Sequence, residues 1–328
     1  MVVKTLDEIE ALSAAALSRH GAAPWVATEV ARAVRRAEET GNVICGLYYL
    51  ESYCLQLASG RVKGDVEPVV TRPRPGSVKA DAKFGFAQAA FARALPEAIA
   101  AAKENGTASL AVAHAHTCTS LGFFTEQIAA HGLVGIGFTN ASPVVAPPGG
   151  NKAVIGTNPI AMTVPGPEGG EGAPAMHFDF STSAVALGKI TMAKAAGERI
   201  PLGWAVDADG QPTTDPEAAL AGALVSAGGY KGWGFGLMGE VMASAMTGSV
   251  NSLDVGGLKL AGGPPHGLGQ FYLLMDTGTY TDAFDARIAR VVDAVAEQPG
   301  ARIPGASRAL KEQVQVADAL WEKLSALV

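Results

Sequence analysis

The sequence predicts an α/β protein with two domains, and three observations support this. The first sixty residues show helical patterns, and residues 66–77, which hold three prolines, then mark a candidate domain boundary. From Val78 onward, short apolar runs alternate with longer helical patterns, as is typical of an α/β arrangement. The chain has 328 residues, 48% of them hydrophobic and 17% charged, so it can bury a substantial core.

Residues 5–8 form a capping-box pattern that opens a helix ending near His20. A second helix is predicted from Pro24 to about Thr40, and a third begins around Leu47. Strands are then predicted at residues 78–81, 109–114, 133–139, 160–164, 175–180 and 270–276. Further helices are predicted at residues 88–105, after Ser120, and at 182–196, 232–246, 282–296 and 307–327. The last two are amphipathic and are expected to pack against the N-terminal helices.

Charge and composition favour a small-molecule partner. The net charge is −6 and lysines and arginines do not cluster, which argues against nucleic acid. The most apolar helical run, residues 232–250, contains Glu240 and many small residues, so it predicts a buried helix and not a membrane span. The N-terminus lacks a signal-peptide pattern, so a cytoplasmic location is expected. Three cysteines without CxxC spacing indicate reduced thiols and no zinc site.

Residues 140–159 form a loop rich in glycine, proline and asparagine between two predicted strands. Glycines there permit close backbone approach, and Asn140, Thr157 and Asn158 offer hydrogen-bonding groups, so the loop is predicted to bind a ligand. A structural Ω-loop is the alternative. Gly234, Gly236 and Gly239 match GxGxxG, but no predicted strand precedes them, so we interpret them as a glycine-lined helix face.

The end of the predicted strand at 109–114 carries two histidines. Alternation places His114 and His116 on one face, and residues 117–120 form a hydroxyl-rich turn that suits a pyrophosphate. No third ligand has a telling spacing, so no metal is expected, and both histidines are alternatively structural. Asp179 either caps the helix after it or orients a ribose or nicotinamide. Lys231 either contacts a phosphate or carboxylate or is simply solvated.

Four segments, residues 139–161, 177–190, 200–216 and 228–248, together resemble the malate/L-lactate dehydrogenase superfamily, which includes Δ1-piperideine-2-carboxylate/Δ1-pyrroline-2-carboxylate reductases. The resemblance implies an NAD(P)-dependent oxidoreductase and a homodimer with its active site near the interface. It implies a non-Rossmann cofactor domain with a mostly antiparallel mixed sheet at residues 71–279. Residues 1–70 and 280–328 would form a helical domain from both chain termini.

The resemblance also implies site residues. Thr157 would lie against the substrate. The positions that would contact NADPH or NADH are His116, Thr117, Cys118, Thr119, Ser120, Asp179, Phe180, Ser181, Leu187, Gly188, Tyr230, Lys231, Arg302, Gly305 and Arg308.

The chain departs from the family pattern at the catalytic positions. Relatives carry Ser-His-Gly for proton transfer and, three residues later, an Arg for the substrate carboxylate; here Ile44, Cys45 and Tyr49 occupy the Ser, His and Arg positions. A second family histidine aligns with Thr117, which leaves His116 beside it. Lys189 stands where imine reductases can carry an Asp.

These losses favour an imine substrate. A ketone develops an alkoxide that needs a proton donor, whereas a protonated cyclic imine needs none at nitrogen. We therefore expect reduction of a 2-imino acid such as Δ1-pyrroline-2-carboxylate, with Lys189, Tyr49 or backbone donors holding the carboxylate. A 2-hydroxy acid dehydrogenase using His116, Cys45 or Lys189 for proton transfer is one alternative, and an inactive nucleotide-binding homologue is another. The sequence leaves the choice between NADH and NADPH open.

Overall fold

The computed structural model describes residues 1–117, 119–167, 172–305 and 310–328. The helices are α1 (Leu6–Arg19), α2 (Pro24–Glu39), α3 (Leu47–Ala58), α4 (Ala87–Asn105), α5 (Gly122–Ala129), α6 (Leu187–Ala196), α7 (Pro216–Ala221), α8 (Tyr230–Glu240), α9 (Phe284–Ala296) and α10 (Asp318–Ser325). The strands are β1 (Val2–Thr5), β2 (Val69–Arg74), β3 (Ser77–Asp81), β4 (Thr107–Ala115), β5 (Leu133–Thr139), β6 (Ile160–Val164), β7 (Met176–Phe180), β8 (Ala205–Val206), β9 (Pro212–Thr213), β10 (Ala223–Leu224), β11 (Leu268–Asp276) and β12 (Gln313–Val316).

A seven-stranded sheet in the order β2-β3-β4-β11-β5-β6-β7 forms the centre of the fold. Only β3 and β4 pair in parallel within it, so the expected mostly antiparallel mixed sheet is confirmed. Helices α4 and α5 bury one face, where Phe91, Phe124 and Tyr272 meet. The other face packs Phe138 and Phe271 against the π-helical turn that follows α8.

The N-terminal helices form a second core. The predicted capping box is present, with Thr5 accepting from the Glu8 amide, and α1 through α3 begin where the sequence predicts. Their apolar faces meet around Tyr53, and Leu324 of α10 joins the same cluster. The last helix therefore packs on the first ones as expected, whereas α9, for which the same packing is predicted, has no buried residue.

Three element predictions were wrong. The proline-rich boundary holds an edge strand, β2, where Pro73 is tolerated because an edge strand has unpaired amides. The helix predicted at 307–327 is replaced over part of its length by β12, which pairs with β1 because Val314 and Val316 alternate with glutamines. Helix α6 begins only at Leu187, since the backbone of residues 182–186 is used in loop pairing.

Within the part of the chain that the structure describes, none of the helices combines the length and apolar character that a membrane span needs. The apolar run predicted as a buried helix forms α8 and the π-helical turn Val241–Ala245.

Candidate active site

Two buried histidines form the centre of the candidate site. His116 follows β4 and His266 precedes β11, and their rings stack with centroids 3.9 Å apart and planes inclined by 10°. Tyr53 and Phe86 enclose His116 at its edges, with centroids 5.9 and 5.2 Å away. The site therefore joins α3, the end of β4 and the segment before β11.

Gln56 determines the tautomer of His116. Its amide nitrogen donates to the carbonyls of Leu258 and Leu260, so its Oε1 faces His116 Nε2 at 2.8 Å and accepts from it. His116 Nδ1 is then an unprotonated acceptor, and it is buried with no hydrogen-bond partner among the described residues. A donor from a bound molecule would satisfy it.

Both histidines are neutral at neutral pH. Burial lowers the pKa of His116 well below its ordinary value, and the neighbouring His266 and the Arg61 cation lower it further. Burial and Arg61 lower the pKa of His266 to about 3, against a smaller opposing effect of the Leu258 carbonyl. Neither ring is a ready source of a proton at neutral pH.

The segment of residues 257–264, here called the 257–264 loop, is fastened to the end of α3 by three side chains. Gln56 donates to the Leu258 and Leu260 carbonyls, Ser59 to Ala261, and Arg61 to Gly257, Leu260 and Pro264. Arg61 is buried, and no carboxylate pairs with it in the described residues. The backbone carbonyls of the loop thus accept hydrogen bonds from these three side chains. One of the donors is the Arg61 cation, which has no carboxylate partner among the described residues.

His114 and His116 have different hydrogen-bond partners. The β4–β11 register shifts between Leu268 and Gln270, and His114 adopts φ 51°, which breaks the alternation. Its Nδ1 lies 3.0 Å from Asp81 Oδ1, whereas His116 Nε2 contacts Gln56 Oε1.

Asp179 caps a helix other than the one expected. Its Oδ2 accepts from Ser120 Oγ at 3.0 Å and from the Gly122 amide at 2.8 Å, so it caps α5 from the neighbouring strand. The helix that follows Asp179 in sequence begins at Leu187 without a side-chain cap. The Asp179 carboxylate therefore accepts from the first amide of α5, at the helix N-terminus for which the sequence predicts a bound pyrophosphate.

Cys45 ends the short 3₁₀ turn Val43–Cys45 before α3. Burial and the nearby Asp179 carboxylate raise the pKa of its thiol to about 12, against an opposing hydrogen bond from Asn42. The thiol is therefore protonated at neutral pH and a weak acid. Tyr49, in the first turn of α3, is half-buried with its ring 5.9 Å from that of Tyr53.

The loop before β6 packs against α8. Gly232, Gly236 and Gly239 lie on one face of α8, where Cβ atoms would collide with Ala227 and Ile155 and press closely on Asn158. The predicted glycine-lined helix face is therefore present at Gly236 and Gly239, but Gly232 belongs to it in place of Gly234, whose Cβ would meet open space. A turn at residues 227–229 precedes the helix.

Two of the loop's polar residues support the fold. The Thr157 carbonyl accepts from the Thr182 amide and hydroxyl at 2.8 and 3.0 Å. Asn158, buried, donates to the Gly236 carbonyl and to Glu240. Asn158 is thus a structural brace rather than a group open to a ligand.

The remaining predicted positions have the following environments. Leu187, Gly188 and Lys189 are exposed at the start of α6, and Tyr230 and Lys231 are exposed at the start of α8. Phe180 is 52% exposed and stacks on Phe178.

Gly305 packs on the backbone of His177. The His177 ring lies against Gly122, next to Asp179. Arg302 is exposed. Thr117 donates its amide to His266, and Ser181 bonds Ser183. Cys118 and Arg308 lie outside the described residues.

Sequence reasoning missed Gln56 and Arg61. A usable signal was the spacing of Tyr49, Tyr53 and Gln56, which places the three on one face of α3. The burial of Arg61 has no comparable local signature, because the carbonyls that it binds lie about 200 residues away in sequence.

Known proteins resemble this chain over its full length. A (2R)-3-sulfolactate dehydrogenase (NADP(+)) from Chromohalobacter salexigens is 38% identical, covering 98% of this chain and 97% of the relative. A Δ1-pyrroline-2-carboxylate reductase from Ancylobacter novellus is 37% identical, covering 98% and 96%. The crystal structure of a Δ1-piperideine-2-carboxylate reductase from Pseudomonas syringae pv. tomato superposes with a TM-score of 0.92 at 32% identity, covering 100% of both chains.

The profile of the malate/L-lactate dehydrogenase family matches residues 5–325. With the full-length relatives, this match leaves one conclusion: the chain belongs to the malate/L-lactate dehydrogenase family of oxidoreductases.

Proposed function

We propose that this chain is an NAD(P)H-dependent reductase of small cyclic 2-imino acids such as Δ1-pyrroline-2-carboxylate, which it converts to proline. Its full-length similarity to Δ1-pyrroline-2-carboxylate reductases supports this substrate class. The observation that carries the proposal is that Cys45, a half-buried free cysteine, stands at the position where the resemblance implies a histidine, and burial raises the pKa of its thiol to about 12. A protonated imine already carries its proton, so a site without a strong acid can still reduce it.

The residues of this chain fit a nicotinamide cofactor. His116 Nδ1 is a buried acceptor without a hydrogen-bond partner among the described residues, so it can accept from a carboxamide N–H. Lys231 is an exposed cation that can bind a phosphate. When bound, the cofactor supplies the hydride. We propose that it contacts, among the described residues, His116, Thr117, Thr119, Ser120, Asp179, Phe180, Ser181, Leu187, Gly188, Tyr230, Lys231, Arg302 and Gly305, with Thr157 against the substrate.

We further propose the arrangement that the resemblance implies. Residues 71–279 form a non-Rossmann cofactor domain, residues 1–70 and 280–328 form a helical domain, and two copies form a homodimer. The packing of α10 and β12 on the N-terminal helices supports this division. A cytoplasmic location stays a prediction.

A 2-hydroxy acid dehydrogenase is the second candidate, favoured by the 38% identity to the sulfolactate dehydrogenase. Proton transfer would then need His116, Cys45 or Lys189. The first two are held neutral by their surroundings, whereas Lys189 is exposed at the start of α6.

The purified protein tests these candidates directly. Loss of NADPH or NADH absorbance is followed with Δ1-pyrroline-2-carboxylate, pyruvate and oxaloacetate, and NADP⁺ reduction is followed with (2R)-3-sulfolactate. We expect turnover of the imine. Turnover of the oxo or hydroxy acids with the imine inert would overturn the proposal, and binding of NADPH without turnover of any compound would favour an inactive homologue.

A further inference from the structure

Lys259, on the 257–264 loop, lies over the first turn of α3. Its Nζ is 3.2 Å from the ring centroid of Tyr48 and 5.4 Å from that of Tyr49. An ammonium group over an aromatic face is attracted by the ring quadrupole. No carboxylate lies within ion-pair distance of Lys259 in the parts of the chain that the structure describes.

The loop that carries Lys259 is unusually constrained for an exposed segment. Gln56 binds the carbonyls of the residues on either side of Lys259, and Arg61 binds that of Leu260 as well. The backbone around Lys259 therefore loses its conformational freedom on folding. A ligand that binds Lys259 does not have to order this loop, so the contact is preorganised. An ordinary surface lysine has neither constraint.

The charges around this loop favour an anion. Arg61 donates to carbonyls of the loop and has no carboxylate partner in the described residues, and Lys259 is an exposed residue of the loop itself. His116 and His266 add no charge at neutral pH. On α3, Glu51 is paired with Lys323 at 2.8 Å. Lys259 of the loop and Arg61, which binds the loop, thus both lack a carboxylate partner among the residues that the structure describes.

The position also connects with the buried centre of the site. The rings of Tyr49 and Tyr53 are 5.9 Å apart, and Tyr53 is 5.9 Å from His116. Lys259 therefore lies at the open end of an aromatic row that leads to the stacked histidines. Tyr49 itself occupies the position where the resemblance implies a carboxylate-binding Arg, and it carries no charge.

We propose that Lys259 binds the carboxylate of the substrate and that Tyr48 and Tyr49 hold its ammonium group in place. The inference rests on the proposed function for the substrate class, a small 2-imino acid. It makes Lys259 a specificity-determining residue that distinguishes carboxylate-bearing imines from neutral ones. The lysine acts as a point charge and moves no proton.

Two assays on the full-length protein test this inference. The first measures KM and kcat for Δ1-pyrroline-2-carboxylate and for neutral 2-methyl-1-pyrroline in wild type, Lys259→Met and Lys259→Arg. We expect Lys259→Met to raise KM for the imino acid about tenfold or more, to leave the neutral imine unchanged, and to be rescued in part by Lys259→Arg. Lys63→Met is the matched control, because Lys63 is also exposed and lies 5.9 Å from the Phe84 ring.

The second assay measures binding of pyrrole-2-carboxylate, a stable planar anion, by calorimetry in the same variants. Binding that is lost in Lys259→Met and kept in Lys63→Met supports the inference even if no imine is reduced, in which case only the proposed function fails. Equal KM and equal binding in wild type and Lys259→Met would overturn the inference and leave imine reduction standing. A wild type that neither binds pyrrole-2-carboxylate nor reduces the imino acid would overturn both.

Discussion

His116 stacks on His266 with the two ring centroids 3.9 Å apart, and both rings are buried. The arrangement is stable only while both rings are neutral, because two imidazolium ions at this distance, beside the Arg61 cation, would repel each other strongly. At neutral pH the two rings therefore pack against each other and can accept hydrogen bonds, but they do not act as an acid–base pair.

Acid should destabilise this protein through the stacked pair. The folded-state pKa of each histidine lies below its ordinary value of 6.5, so the unfolded chain binds protons that the folded chain does not. The burial of the two neutral rings contributes its full stabilisation above pH 6.5. This contribution to the free energy of unfolding decreases as the pH drops from 6.5 toward the folded-state pKa. We expect the free energy of unfolding to fall by about 2 kcal/mol per histidine between pH 7 and 5.

Urea unfolding at several pH values measures this loss. His266→Gln should have a shallower pH dependence than wild type, whereas His131→Gln, at an exposed position, should keep the wild-type slope. Identical slopes in all three proteins would show that the pair does not carry the effect.

Gln56 should control both the His116 tautomer and the 257–264 loop. Gln56→Leu removes the acceptor of His116 Nε2 and the donor to two loop carbonyls, so we expect a loss of about 1–3 kcal/mol in unfolding free energy. Nitrogen NMR shifts of the His116 ring should also change, since the two tautomers have different shifts at Nδ1 and Nε2.

Ser59→Ala is the control for Gln56→Leu. It removes one contact of the same loop, with Ala261, and leaves His116 untouched. A His116 spectrum that is unchanged in Gln56→Leu would show that another group sets the tautomer.

Cys45 should be dispensable for imine reduction. Because its thiol pKa is about 12, it donates protons poorly near neutral pH, and Cys45→Ala should keep kcat for Δ1-pyrroline-2-carboxylate within about threefold. Cys54→Ala, which alters a buried thiol in the helical core, controls for packing effects. A hundredfold fall in kcat with the fold intact would instead identify Cys45 as the proton donor.

Local signals in the sequence predicted most elements but not the contacts that build the site. The capping box at Thr5 and the strand ending near His116 are encoded by neighbouring residues, and both are present. Gln56 and His266 reach His116 from 60 and 150 residues away, so periodicity carries no information about them. The capping alternative for Asp179 named the helix that follows it, because the sequence does not show that α5 lies beside β7.

The error at β12 has a similar cause. The run Gln313–Val316 is short, and its alternation becomes informative only when β1 supplies a partner. The amphipathic pattern around it was dominated by the helix that follows, so the strand was absorbed into the helical prediction.

The pairing of β1 with β12 joins residues near both ends of the chain. During synthesis, β12 emerges after all the strands of the central sheet, so β1 stays unpaired until that sheet has its full set of strands. Deleting β12 would leave β1 as an exposed, valine-rich strand beside α1, a surface prone to aggregation.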